Sequence, residues 1–81
     1  MISIDTNLFL YAQNLDCPEH QSAYNFILEY GNRDDVIICE LVLVELYILL
    51  RNPAVLKTPL SPKEAVTICQ TYRHNPNWRI V

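Results

Sequence analysis

Residues 36–50 read Val36-Ile-Ile-Cys-Glu40-Leu-Val-Leu-Val-Glu45-Leu-Tyr-Ile-Leu-Leu50, and their reading decides the fold. Val36-Ile-Ile38 is β-branched and apolar at every position, as in a strand covered on both faces. Leu41 to Leu50 is too long an apolar run for one short strand, and Asn52-Pro53 stops it. It reads as a helix that is apolar nearly all round, and therefore buried. A strand leading directly into a helix is the opening of a crossover unit, and the rest of the chain repeats the theme.

Upstream, Ile2 and Ile4 alternate with Ser3 in a short strand reaching Asp5. Leu8, Tyr11, Ala12 and Leu15 then fall on one helical face. Asp16-Cys-Pro-Glu19 restarts a helix with proline in its first turn and an acid at its positive end. Ala23, Phe26, Ile27 and Tyr30 point inward along it, and Gly31 with Asn32 ends it. Downstream, Ser61-Pro-Lys-Glu64 is a capping box with proline at the first helical position. Ala65, Ile68, Cys69 and Tyr72 follow at i, i+3, i+4 and i+7, and Asn75-Pro76 closes that helix. Trp78 to Val81 begins a third strand. The order β-α-α-β-α-α-β predicts an α/β domain with a parallel sheet. Residues 1–81 are expected to form one domain, and ending on a strand predicts an incomplete one.

Composition narrows the function. With 51% hydrophobic residues and a net charge of −3, the chain is globular and carries no basic stripe for coating phosphates. Acidity does not exclude an enzyme that reaches nucleic acid through a bound metal, because the metal supplies the positive charge. Gly31 is the only glycine, which excludes a glycine-rich phosphate loop. The apolar stretch of residues 36–50 is shorter than the roughly 20 residues of a membrane span. Met1-Ile-Ser-Ile-Asp5 lacks the basic start of a secretory signal. Cys17, Cys39 and Cys69 are odd in number and widely spaced, which predicts buried, reduced thiols and a cytoplasmic protein.

Two carboxylates stand in costly places. Asp5 ends the first strand, on the edge of a parallel sheet where ligands gather, although Asp5, Thr6 and Asn7 are also all suited to capping the following helix. Glu45 interrupts an otherwise apolar helix, where burying an unpaired carboxylate costs several kcal/mol unless a cation compensates. Glu40, turned about 140° from Glu45, reads instead as a residue of the helix start. Two converging carboxylates with no histidine or thiolate suit Mg²⁺ or Mn²⁺, which take oxygen ligands and are completed by water and substrate phosphate. Metal-assisted phosphodiester hydrolysis is the economical chemistry for such a pair. His20 and His74 read as solvent-facing residues at helix ends, and the five tyrosines as core residues with wet hydroxyls.

Ser3-Ile-Asp-Thr-Asn-Leu8, Val36-Ile-Ile-Cys-Glu-Leu-Val-Leu-Val-Glu-Leu-Tyr47, Arg51-Asn-Pro-Ala54 and the capped helix from Ser61 together resemble a PIN domain, in particular the VapC-type toxin ribonucleases of prokaryotic toxin–antitoxin pairs. The resemblance covers all 81 residues but only the first half or so of such a domain. It implies a parallel sheet in the order 3-2-1 with flanking helices, here truncated. It also implies RNA cleavage with Mg²⁺ or Mn²⁺ held by acids, and an antitoxin protein as partner. Asp5 matches the first of those acids and Glu45 the second, with Thr6 and Asn7 as polar neighbours of the first. The later acids have no counterpart, so an inactive fragment that acts as a binding or assembly partner is the alternative. The open edge of the first strand implies self-association or pairing with the missing half. A receiver-like domain with Asp5 as phosphate acceptor is a third reading, and it lacks the acid cluster it would need.

Overall fold

The computed structural model describes residues 1–81. Seven elements follow one another: β1 (Ile2–Ser3), α1 (Thr6–Gln13), α2 (His20–Tyr30), β2 (Val36–Ile38), α3 (Glu40–Leu50), α4 (Pro62–Arg73) and β3 (Trp78–Ile80). Their order is the expected one. β2 lies between β1 and β3 and is parallel to both, so the strand order is 3-2-1. Ile2 pairs with Val36, and Val36 in turn with Trp78.

Both crossovers step the same way across the sheet, and right-handed connections then put all four helices on one face. Burial follows that rule. Val36, Ile38 and Trp78 are buried, whereas Ser3 and Arg79 on the opposite face are exposed and Ile37 between them is half-buried. The expectation that β2 is covered on both faces is therefore corrected: no crossover delivers a helix to the Ile37 side. The Cα atoms span 33 × 24 × 15 Å. The shortest dimension holds the sheet and one helix layer, since a second layer at the usual packing distance would need about 20 Å.

In α1 the inward residues are Thr6, Phe9, Leu10 and Ala12, with Phe9 wholly buried against Tyr72 and Trp78 at ring-centroid distances of 4.4 and 5.9 Å. Leu15, expected on that inward face, is 81% exposed. The helix stops short of it because Asn14 takes extended backbone angles and its side-chain oxygen accepts from the Asp16 amide at 3.1 Å. Helix α2 starts at His20, beyond Pro18, and Ala23, Phe26, Ile27 and Tyr30 pack inward as expected. It ends at Gly31 with an ordinary right-handed φ of −61°. The exposed carbonyls there take donors from the approach to β3: the Asn75 and Asn77 amides reach Gly31 O at 3.1 Å each, and Trp78 Nε1 reaches Tyr30 O at 2.9 Å.

Helix α3 departs most from expectation. Leu43, Leu46 and Leu50 are buried, but Leu41, Val44 and Ile48 are 72%, 47% and 58% exposed. At 100° per residue these form two opposite stripes, one toward the core and one toward solvent. The helix is apolar on both sides but buried on one.

Helix α4 carries the capping box in full: Ser61 Oγ accepts from the Glu64 amide at 3.2 Å, and Glu64 Oε1 accepts from the Ser61 amide at 3.0 Å. Ser61→Ala is expected to cost about 1 kcal/mol and to lower the melting temperature by about 4–8 °C. The Ser61 N–H bond also holds the Glu64 carboxyl below its ordinary value of 4.5. A carboxylate with a depressed folded pKa contributes stability above its unfolded pKa and loses it as pH falls through the folded value. The gap in melting temperature between the wild type and Glu64→Ala should thus be full at neutral pH and close in acid. Melts across the range from neutral to about pH 3 check this, and a gap that widens in acid would contradict it.

Candidate functional site

Parallel pairing brings the ends of the strands to one edge of the sheet, and two helices begin there. β1 passes through buried Ile4 and exposed Asp5 into α1, and β2 passes through Cys39 into α3. β3 closes the same edge: Val81 N donates to Ile38 O at 2.9 Å and Glu40 N donates to Val81 O at 2.8 Å.

Asp5 serves as the N-cap of α1, its Oδ1 accepting from the Leu8 amide at 3.2 Å. This satisfies one of the orphan donors of the helix start. It also holds the carboxylate in one orientation, and Oδ2 has no protein partner. Capping and ligation therefore do not compete for the same oxygen. Thr6 is buried beneath it and Asn7 is exposed beside it.

Glu45 is exposed and makes neither a hydrogen bond nor an ion pair. The expectation that it is buried is overturned, and with it the argument that a buried charge demands a cation. The physical reason is the solvent stripe of α3, which Glu45 joins with Leu41, Val44 and Ile48. What survives is its availability: no basic side chain neutralises it. It is the sixth residue of α3, about 7.5 Å along the axis from Glu40.

Glu40, by contrast, is engaged. It sits at the first position of α3 and pairs with Arg73 in the last turn of α4, Nη1 lying 2.5 Å from Oε1 and 2.6 Å from Oε2. Glu40 stands at the helix start as expected, and its partner Arg73 lies outside what local spacing predicts. Each residue complements its own helix dipole, but only the antiparallel packing of α3 on α4 sets those two ends side by side. Arg73 Nε remains buried without a partner. Beside this pair, Leu43, Val44 and Tyr47 of α3 and Val66, Cys69 and Arg73 of α4 line a shallow apolar groove of about 220 Å³. Burial pushes the Cys69 thiol above its ordinary range, and its Sγ donates to Leu43 O at 3.5 Å.

Helix α4 thus occupies the flank of α3 that carries Glu40 and Tyr47. Helix α1 also packs on α3. No group of three or more His, Cys, Asp and Glu side chains lies close enough to hold an ion. Asp5 and Glu45 remain as two free carboxylates on adjacent helices that start from one sheet edge. Their donors are hard oxygens, the kind that Mg²⁺ and Mn²⁺ take.

The other polar residues settle into structural positions. His20 is half-buried, with Nδ1 at 3.0 Å from Tyr11 O, and His74 is exposed as the C-cap of α4. Tyr72 is buried and its hydroxyl accepts from Gln13 Nε2 at 2.7 Å, while Tyr24, expected in the core, is 45% exposed. All three cysteines are free, but only Cys69 is buried, and Cys39 is exposed. No helix is long and apolar enough to cross a membrane.

No protein-family model matches the chain. Two individual proteins do. The chain is 57% identical over all 81 residues to Ribonuclease VapC24 of Mycobacterium tuberculosis strain CDC 1551 / Oshkosh, and equally to Ribonuclease VapC24 of strain ATCC 25618 / H37Rv. It spans 56% of the length of each. Over its whole length the chain is therefore a sequence relative of Ribonuclease VapC24, in keeping with the resemblance to VapC-type PIN domains carried by the residues around Asp5 and Glu45.

Proposed function

We propose that these 81 residues are an incomplete PIN-like domain of a metal-dependent endoribonuclease, the toxin of a toxin–antitoxin pair. The observation that carries the reading is whole-chain identity of 57% to a protein named a ribonuclease. Asp5 and Glu45, both free of basic partners, support it. The substrate is RNA, the protein partner an antitoxin, and the compartment the cytoplasm. Asp5 and Glu45 would hold Mg²⁺ or Mn²⁺, with Thr6 and Asn7 as polar neighbours of the first. A bound ion of this kind polarises a phosphoryl oxygen and lowers the pKa of water. The capping bond to Leu8 fixes the Asp5 carboxylate without consuming Oδ2, and Glu45 needs no ion pair broken before it binds. Two carboxylates are enough to retain such an ion while substrate phosphate completes its shell.

Mn²⁺ is expected to raise the melting temperature, by the equivalent of about 2.7 kcal/mol at a hundred times the dissociation constant. Glu45→Gln should abolish that rise. Because Glu45 is exposed and unpaired, the same change should leave the metal-free protein within about 0.5 kcal/mol of wild type. Asp5→Asn makes the complementary test, since asparagine caps a helix as well as aspartate does. It should keep the metal-free melting temperature and lose the Mn²⁺ response. Either variant gaining as much from Mn²⁺ as wild type would place the ion elsewhere.

A second reading, an inactive fragment that pairs with another chain, is favoured by one observation: no three His, Cys, Asp or Glu side chains gather where they could hold an ion. Cleavage rate separates the two.

A further inference from the structure

We draw no further inference here: the strongest candidate, the outward apolar stripe of Leu41, Val44 and Ile48 on α3 with the groove it shares with α4, is an unpartnered face whose one orphan donor, Arg73 Nε, is sealed from solvent, and nothing in the structure shows what covers it.

Discussion

Purified alone and supplied with Mg²⁺, the 81-residue chain is expected to cleave RNA at least about 10²-fold more slowly than a full-length VapC ribonuclease. Phosphodiester hydrolysis needs charge stabilised at the attacking and leaving oxygens, and losing one such electrostatic contact costs about 10²–10³ in rate. This chain offers two free acids, Asp5 before α1 and Glu45 within α3, and no cluster of three. Adding in trans a polypeptide that corresponds to the rest of a relative's length should raise the rate, and Asp5→Asn should remove what is gained. A gel assay on a defined RNA, run with and without Mg²⁺, reads all three arms. Full metal-dependent activity of the isolated chain, lost on Asp5→Asn, would keep the nuclease and discard the incomplete domain. No cleavage even with the added polypeptide bound would favour the assembly-partner reading.

Phe9→Ala is expected to be the most damaging single substitution for stability. Phe9 is 0% exposed and packs on both Tyr72 and Trp78, which joins α1 to α4 and β3. Truncating a buried phenylalanine costs about 3–5 kcal/mol. A chain of this length has only about 4–12 kcal/mol to lose. The variant should melt at least about 12 °C lower, followed by circular dichroism and by the fluorescence of Trp78, the only tryptophan. Leu41→Ala, on the exposed stripe, is the control and should stay within about 0.5 kcal/mol of wild type. Equal melting of the two variants would show that Phe9 is not central to the core.

Much of this architecture was legible in the residues, and apart from the local turn at Asn14 that exposes Leu15 the failures share one cause. Element order, the Ser61 capping box and the inward residues of α2 and α4 are local properties, set by spacing and by side-chain bonds to the nearest backbone. Parallel pairing followed from the alternation of strands and helices. Burial of α3 and of both faces of β2 was not legible, because it depends on how many layers the chain supplies. Val36-Ile-Ile38 and Leu41 to Leu50 have the composition of a strand and a helix inside a three-layer domain, but the crossovers build two layers. Composition therefore reported more covering than these residues provide. The site shows the same split. Asp5 was placed correctly at the end of β1, with capping and free-oxygen roles both open to it. Glu45 was singled out by an argument from burial that its 40° offset from exposed Leu41 undoes. Phe9 and the Glu40–Arg73 pair were missed because both are long-range contacts, which periodicity along the chain does not encode.

The bonds from Asn75, Asn77 and Trp78 to the last carbonyls of α2 bear on when the protein is able to fold during its own synthesis. Gly31 O takes its side-chain donors from 44 and 46 positions further on, and Tyr30 O, already bonded to the Arg33 amide, gains a second donor 48 positions on. At a ribosomal rate of about 5–20 residues per second, that delay is roughly 2–10 s. Over that interval a helix with an apolar face exists without the strand that receives it, and β2 has only one of its two neighbours. Contacts of such long separation slow the search for the native state. The nascent chain is therefore exposed to chaperones and proteases at least until residues 75–80 emerge, and the sheet of β1, β2 and β3 commits as a whole rather than in stages.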